Sequence, residues 1–375
     1  MRPRILRALI LRRFTGRRFD YDAAMVKKTA ARWLAVGAAF ALLATGCSPS
    51  SESASTAADS ASCADTETFC IGLVLEAGVI DDGAFNEAAW EGVQEAAAAT
   101  GGVAEYLAST DSASYAANLD EFGSLGFDVV VASGVGQPQA TIEAVTAHPD
   151  TRYIGISQDM TDGPANATGL LFRDDEAGYA AGYLAGLMTK TGTVGAVLGP
   201  VEVIPLKRFG EGYRLGALAA RPDATVIMSY NNDSSDGFND PEWGAATAAQ
   251  QIADGADVVF GAGGTTGIAA LETVAQLPGA GTSLFCIGID VDQYETVPNA
   301  RPCLLSSAEK LIANGLSDLI IAIHAGDNPA QNVEGDIGLA PYHDLEAQVP
   351  DSVKEQIDTV VAGLIDGSIS TGVTF

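Results

Sequence analysis

Three side chains that could bind a ligand stand at or just after the ends of predicted strands: a carboxylate, an ammonium group and an aromatic ring. Asp290 ends the apolar run 284–290, and Lys310 stands where the strand 303–307 leads into a helix. Phe85 and Asn86 lie in the loop after the first strand. Because ligands bind beyond the carboxyl ends of parallel strands, these residues predict a small-molecule site. Each residue also has a purely structural interpretation. Phe85 could only pack its helix against the sheet, Asp290 could cap a helix or loop, and Lys310 could be a solvated lysine at the start of a helix.

A glycine-rich turn at 261–267 follows the predicted strand Asp257–Gly261. Free backbone N–H groups at the start of a helix attract anions such as phosphate. However, the spacing of the glycines matches neither GxxxxGK[ST] nor GxGxxG, so neither a nucleoside triphosphate nor a dinucleotide is indicated. Glycines also let the backbone approach a neutral ligand closely, which is the interpretation that we favour.

The residue types favour binding over catalysis. The sequence has three histidines, far apart along the chain, and neither a G-x-S-x-G nor an H-E-x-x-H motif. We therefore expect no enzyme activity, no metal site and no cofactor. Hydrolysis by carboxylates alone, at Glu76, Asp81 and Asp82, is the enzymatic alternative.

The elements that position these residues alternate between strands and helices. Apolar runs such as Ile71–Leu75, Phe127–Ala132 and Val194–Leu198 predict strands that are buried on both faces. Helical patterns separate these runs, as in parallel doubly wound sheets. The chain after residue 70 is too long for one such sheet, so we predict two α/β lobes.

Residues 1–46 predict an export signal. Basic residues at 27–32 precede the apolar run Trp33–Leu43, and small residues lead from there to Cys47. A cysteine directly after Gly46 resembles a lipobox, in which the cysteine is lipidated and becomes the mature N-terminus. The alternative is a plain secretory signal with an incidental cysteine. Met25 is a more natural start than Met1.

Residues 47–69 are predicted to form a disordered tether after the lipidated cysteine, because 48–62 is rich in serine and poor in apolar residues. Residues 1–47 hold 10 of the 20 lysines and arginines, which leaves 10 basic and 46 acidic residues after Cys47. So acidic a surface repels nucleic acid and argues against a nucleic-acid-binding role. No later apolar run reaches the ~18 residues that a membrane span requires.

Four cysteines follow Cys47, and in an exported protein an even set indicates disulfides. Three pairings are possible. We favour Cys63–Cys70, a local clip at the first strand, and Cys286–Cys303, which lie on successive predicted strands.

Several segments resemble the basic membrane protein family, the substrate-binding lipoproteins of ABC importers. The first is D-D-G-A-F-N-E-A-A-W-E-G at 81–92, and the second is F-R-D-D-E-A-G-Y-A-A-G-Y-L-A-G-L-M at 172–188. The segments I-G-I-D-V-D-Q at 287–293 and S-S-A-E-K at 306–310 are similar to later motifs of the family. Their order is that of the family, so the resemblance covers roughly residues 71–375.

This resemblance implies the type I periplasmic-binding-protein fold, with two doubly wound parallel-sheet lobes and a cleft between them. In that fold the chain crosses between the lobes about three times. The first lobe is then expected at 70–172 plus about 308–334, and the second at 173–307 plus about 335–375.

The best understood members of the family are receptors for purine nucleosides, and their site residues transfer position by position. The resemblance implies that Phe85 and Phe260 stack on the base, and that Gly264 lines the pocket. It also implies that Asp290 and Lys310 bind the ribose hydroxyls. Glu76 departs from the family pattern, because we align it with an aspartate that bonds the base.

The function implied is the capture of a nucleoside, with purine preferred, by an extracytoplasmic lipoprotein anchored in the cell membrane. Its partners would be an ABC permease and an ATPase on separate chains, and we expect a monomer. The alternative is a receptor for another small molecule, such as a sugar, that feeds a sensor.

Overall fold

The computed structural model describes residues 63, 68–76, 78–232 and 237–374 of the chain. The predicted signal region 1–46 and Cys47 lie outside these residues, as does most of the predicted tether 47–69. Within the described ranges, no helix is both long and apolar enough to cross a membrane.

The chain first builds five strands with a helix after each of the first three. The elements are β1 (Cys70–Leu75), α1 (Phe85–Thr100), β2 (Val103–Ala108), α2 (Ser112–Leu125), β3 (Val129–Ser133), α3 (Pro138–Ala147), β4 (Arg152–Ile156) and β5 (Ala167–Leu171). Every residue of β1 and β3 is buried, which is why these strands read as unbroken apolar runs.

The next segment repeats the alternation. Its elements are α4 (Asp174–Met188), β6 (Thr193–Leu198), α5 (Ile204–Ala220), β7 (Thr225–Tyr230), α6 (Pro241–Ala253), β8 (Val258–Ala262), α7 (Gly264–Gln276), β9 (Phe285–Asp290), α8 (Gln293–Thr296) and β10 (Leu304–Lys310). The last segment contains α9 (Ile312–His324), β11 (Asn332–Glu334), β12 (Ile337–Leu339) and α10 (Asp351–Asp366). Short 3₁₀ helices lie at Pro298–Ala300 and His343–Gln348.

The strands form two six-stranded sheets, with orders β11-β5-β4-β3-β1-β2 and β12-β10-β9-β8-β6-β7. All neighbouring strands pair parallel except β10 and β12, which pair antiparallel. Helices cover both faces of each sheet. On the first sheet, α1 and α9 lie on one face and α2 and α3 on the other. On the second sheet, α4 and α5 lie on one face and α6 and α7 on the other. The prediction of two doubly wound parallel-sheet lobes is confirmed.

The chain crosses between the sheets three times, after β5, after β10 and after β11. The second crossing follows Lys310, the last residue of β10, since Glu309 still pairs with Asp290 of β9. Backbone bonds tie the crossings together: Leu311 N–H donates to the Asp336 carbonyl at 3.0 Å, and Gly335 N–H to the Leu171 carbonyl at 2.7 Å. The three crossings therefore lie side by side, as in a hinge.

Glycines allow α4 and α5 to pack backbone to backbone. A Cβ atom on Gly182 would lie 1.9 Å from the Tyr213 carbonyl oxygen, and one on Gly216 would lie 2.0 Å from that of Tyr179. Larger side chains at these positions would force the helices apart. This packing fixes α4 and α5, which both contribute to the site described below.

Both disulfides expected from the sequence are present, Cys63–Cys70 and Cys286–Cys303. The second joins the beginning of β9 to the residue before β10. This disulfide covalently links the N-terminal ends of β9 and β10, the two strands whose C-terminal residues are Asp290 and Lys310.

Candidate ligand-binding site

Lys310 lies at the centre of a buried cluster where two strands end and a helix begins. It is the last residue of β10, and it is 5% exposed. Its Nζ lies 3.0 Å from Oδ1 of Asp290, the last residue of β9, and 3.6 Å from Oδ1 of Asp174, the first residue of α4. Two carboxylates thus share one ammonium, and the ionised cluster has an excess of negative charge.

Burial and charge act on these groups in opposite directions. Burial disfavours the ammonium of Lys310, but Asp290 and Asp174 outweigh it and hold the pKa of Lys310 above its ordinary value. Burial raises the pKa of Asp174 to about 6, although Lys310 pulls it down. Lys310 therefore stays charged, while Asp174 takes up a proton more readily than an exposed carboxyl group.

Three aromatic rings surround the same ammonium. Nζ of Lys310 lies 4.9 Å from the ring centre of Phe85, 5.2 Å from that of Phe209 and 5.9 Å from that of Phe172. Such contacts stabilise a desolvated cation. Phe85 begins α1 of the first lobe and Phe209 lies on α5 of the second, so the ammonium lies between the lobes.

Asp82 fixes the loop that carries Phe85. Its carboxylate accepts hydrogen bonds from the backbone N–H groups of Ala84 at 2.9 Å, Asn86 at 3.1 Å and Glu87 at 3.2 Å, and so satisfies the free donors at the start of α1. Burial raises the pKa of Asp82 to about 6, with a further contribution from the charge of Asp290. The cap holds Phe85 at the edge of the first sheet.

The same loop touches the second lobe. The carbonyl oxygen of Gly83 accepts hydrogen bonds from Thr296 Oγ1 at 2.8 Å and from Gln293 Nε2 at 3.3 Å. Both donors belong to α8, which follows the D-V-D-Q segment. These bonds bridge the two lobes beside the cluster.

Glu76 and Asn86 lie at the carboxyl ends of the first lobe's strands. Oε2 of Glu76 accepts a hydrogen bond from Gly136 N–H at 2.8 Å, in the loop after β3. Asn86 Nδ2 donates to the Val79 carbonyl at 3.2 Å, and its Oδ1 accepts from Ser133 Oγ at 3.4 Å. Both side chains are therefore held by neighbouring loops.

Phe260 is not at the end of its strand. β8 runs to Ala262, and Phe260 is fully buried on the side that faces α5, stacked on Tyr213 with ring centres 5.0 Å apart. One face of its ring is thus already covered within the core of the second lobe. The ring that this lobe brings to Lys310 is Phe209, which the sequence analysis did not select.

Gly264 begins α7 with φ at 59°, a conformation that favours glycine. A Cβ atom there would lie 2.7 Å from the carbonyl oxygen of Phe238. The close approach at this glycine is therefore to the loop after β7.

Asp174 was also not selected, although the quoted segment 172–188 contains it. Three acidic residues begin α4, at 174, 175 and 176, and nothing in the sequence distinguishes the buried one. Its contact with Lys310 joins positions far apart along the chain, which periodicity does not reveal.

The raised pKa of Asp174 predicts an unusual dependence of stability on pH. Because burial raises its pKa from 3.8 to about 6, the Asp174 carboxyl group holds its proton more in the folded protein than in the unfolded chain between these values. The free energy of unfolding should then fall as pH rises from about 4 to about 6, by up to ~1.4 kcal/mol per pH unit from this group. Asp290, Lys310 and Arg208 are the charges that act on it.

Chemical unfolding of the ligand-free wild type and of an Asp174→Asn variant across this range measures the contribution. The difference between the two stabilities should change with pH, because the variant lacks the titrating group. Parallel pH profiles would contradict the assignment.

Among the described residues there is no group of three or more histidine, cysteine, aspartate or glutamate side chains that could hold a metal ion.

Comparison with known proteins shows what this chain resembles. A sequence model of the Bmp family, described as "ABC transporter substrate-binding protein PnrA-like", matches residues 71–322. A CD4+ T-cell-stimulating antigen of Listeria innocua is 28% identical over 92% of this chain and 98% of its own length. An ABC transporter nucleoside-binding protein BmpA of Lactococcus lactis is 28% identical over 59% of this chain and 63% of its own.

The fold is shared with solved structures of lower sequence identity. A solute-binding protein of an ABC transporter system from Aeropyrum pernix superposes with a TM-score of 0.71, at 21% identity, over 80% of this chain and 92% of its own. A second one, from Conexibacter woesei, gives a TM-score of 0.64 at 22% identity over 81% of this chain and 98% of its own. These likenesses extend through both lobes.

Proposed function

Because this chain belongs to the Bmp family of PnrA-like ABC transporter substrate-binding proteins, we propose that it captures a nucleoside between its two lobes. Proteins of this family bind solutes outside the cytoplasm for an ABC importer. The observation that carries the proposal is the buried pair of Lys310 and Asp290, 3.0 Å apart, with the ring of Phe85 over the ammonium.

The pair suits the ribose. A carboxylate accepts hydrogen bonds from hydroxyl groups and an ammonium donates them, so Asp290 and Lys310 together can bind neighbouring hydroxyls of a sugar. Both are buried, which strengthens such bonds relative to water. These are also the two residues to which the family resemblance gives this role.

The aromatic rings suit the base. Phe85 lies at the start of α1, and stacking of a base on such a ring is worth ~1–3 kcal/mol in single-stranded nucleic-acid sites. We propose Phe209 or Phe172 as the second ring, in place of Phe260, since both lie within 6 Å of the ammonium that Phe85 contacts. We propose that Glu76 and Asn86, at the carboxyl ends of the first lobe's strands, bond the edge of the base, with purine preferred.

Binding fits the carboxylates of the first lobe better than hydrolysis does. Asp82 accepts three backbone hydrogen bonds at the start of α1, and Glu76 accepts one from Gly136. These hydrogen bonds hold the loops of the first lobe in place beside the proposed site. We therefore propose that the protein is a receptor without enzymatic activity, working with a permease and an ATPase on other chains.

Anchoring by a lipid on Cys47 completes the proposal, because an importer's receptor must stay near its permease. Replacing Cys47 with alanine should move the protein from the membrane fraction to the soluble or secreted fraction. Fractionation with intact mass measurement checks this, and unchanged membrane association with unchanged mass would contradict it.

A nucleoside should stabilise the protein markedly. A ligand at ~100 times its dissociation constant raises the free energy of unfolding by ~2.7 kcal/mol. Thermal unfolding and calorimetry with adenosine, guanosine, inosine, pyrimidine nucleosides, D-ribose and amino acids would identify the class. Clear binding of a free sugar or an amino acid, with no response to any nucleoside, would overturn the proposal.

A further inference from the structure

One loop of the first lobe packs its backbone directly against the second lobe. Gly83 is buried, and its carbonyl oxygen accepts hydrogen bonds from Thr296 Oγ1 at 2.8 Å and from Gln293 Nε2 at 3.3 Å. A Cβ atom on Gly83 would lie 3.3 Å from Val297 Cγ2 and 3.4 Å from Ile268 Cδ1, so the packing there is tight. All of these partners are protein groups, so the contact does not require a ligand.

Each side of this contact is held in place by bonds within its own lobe. In the first lobe, Gly83 N–H donates to Glu87 Oε2 at 3.0 Å. In the second lobe, Gln293 N–H donates to Ser307 Oγ at 3.1 Å, and Gln293 Oε1 accepts from Ile289 N–H at 3.0 Å. Groups that are already fixed lose little conformational entropy when they meet, so the bonds between the lobes keep most of their free energy.

The contact joins the two segments that carry proposed ligand-binding residues. Gly83 lies two residues before Phe85 in the same loop. Gln293 bonds the backbone of Ile289, the residue before Asp290. Closing the lobes through Gly83 therefore also brings Phe85 and Asp290 to the same space.

We propose that Gln293 and Thr296 form with Gly83 an interlobe latch, which holds the lobes closed independently of the ligand and slows the ligand's release. Lobes joined by a hinge exchange between open and closed forms, and a bond made only in the closed form raises its population. A ligand between the lobes leaves through the open form, so a larger closed population delays its release. Gln293 and Thr296 are positioning residues in this account, because they act through the lobes.

Pulsed EPR distances in the protein freed of ligand test the latch whatever the ligand is. Spin labels are placed at Ser112→Cys and Glu242→Cys in the full chain with Cys47→Ala, where the other four cysteines are in disulfides. The two labelled positions are exposed, in the first turns of α2 and α6. These helices follow β2 and β7, which lie at the edges of the sheets away from the hinge, so opening should move the labels far apart. We expect the wild-type latch to give a population at the closed distance.

Thr296→Val removes the hydroxyl group and keeps the shape of the side chain. The ratio of closed to open molecules should then fall about two- to tenfold, the equivalent of one hydrogen bond. Adding Gln293→Glu, which keeps the acceptor for Ile289 N–H but removes the donor, should lower the ratio further. Thr273→Val is the matched control, because Thr273 Oγ1 bonds the Ala269 carbonyl within α7 at 2.7 Å, and it should leave the ratio unchanged.

Two results would overturn the latch. One is a wild-type latch with no population at the closed distance. The other is a ratio of closed to open molecules that stays the same in Thr296→Val and in the double variant.

The effect on ligand release rests on the proposed function and is measured separately, with adenosine in a stopped-flow experiment. Adenosine should dissociate about two- to tenfold faster from Thr296→Val than from the wild type or from Thr273→Val, whereas its association rate should change less. Equal dissociation rates would overturn the role of the latch in release. If no nucleoside binds, the proposed function fails, and the distances alone decide whether the latch exists.

Discussion

Replacing Lys310 with methionine should destabilise the protein by about 3–5 kcal/mol, the typical cost of removing one partner from a buried ion pair. Methionine keeps most of the apolar stem but leaves Asp290 and Asp174 facing each other without the ammonium between them. Both carboxylates are buried, so water does not replace the lost charge. Chemical unfolding of the ligand-free protein measures the effect.

A double variant separates the loss of charge compensation from the loss of packing. Combining Lys310→Met with Asp290→Asn removes one of the two repelling charges and should restore a large part of the stability. Lys354→Met is the control, since its ion pairs with Glu346 and Asp351 lie at the surface and should matter little. If Lys310→Met is as stable as the wild type, the ammonium does not hold this cluster together.

Removing the carboxylate of Asp290 should weaken nucleoside binding about tenfold or more, because partners left unpaired in a buried site cost ~1–3 kcal/mol. Glycine is the appropriate replacement for removing the side chain, since Asp290 has φ at 69°, a conformation that glycine and asparagine adopt readily but that strains alanine. The loss should be greatest for nucleosides that retain both ribose hydroxyls. Calorimetry with adenosine and its 2′,3′-dideoxy form measures the difference.

Asp292→Ala is the matched control for this experiment. Asp292 lies in the same segment, but its carboxylate bonds His343 at 2.6 Å and lies outside the cluster around Lys310. This variant should preserve the preference for adenosine over the dideoxy form, whereas Asp290→Gly should lose it. Equal affinity of the wild type for the two ligands would remove Asp290 and Lys310 from the sugar site.

The alternation of strands and helices was readable from the sequence because buried parallel strands are short, continuous apolar runs. Ile71–Leu75 and Val194–Leu198 differ from the observed strands by one residue at most. The strands β11 and β12 were not predicted, because each has three residues and lacks such a run. The hinge depends on them, so its position came only from the family resemblance and the structure.

The candidate site was partly predictable for a different reason. Asp290 and Lys310 stand at strand ends, where function is expected, and positive charge is scarce in this part of the chain. Phe209 and Asp174 lie on helices and reach the site through the close packing of α4 and α5, which no local pattern specifies. Phe260 fitted a motif, but β8 continues two residues beyond it and its side chain faces the core.

The measurement that tests the central claim most directly is mass spectrometry of the ligand that co-purifies with the domain from Cys63 onward. The protein would be produced in a medium that contains nucleosides, amino acids and sugars, then purified without denaturation and finally unfolded to release what it holds. We predict that a nucleoside is released in near-equimolar amount from the wild type and is lost from the Asp290→Gly variant. Release of a sugar or an amino acid instead, or a protein that emerges empty from this medium, would contradict the account.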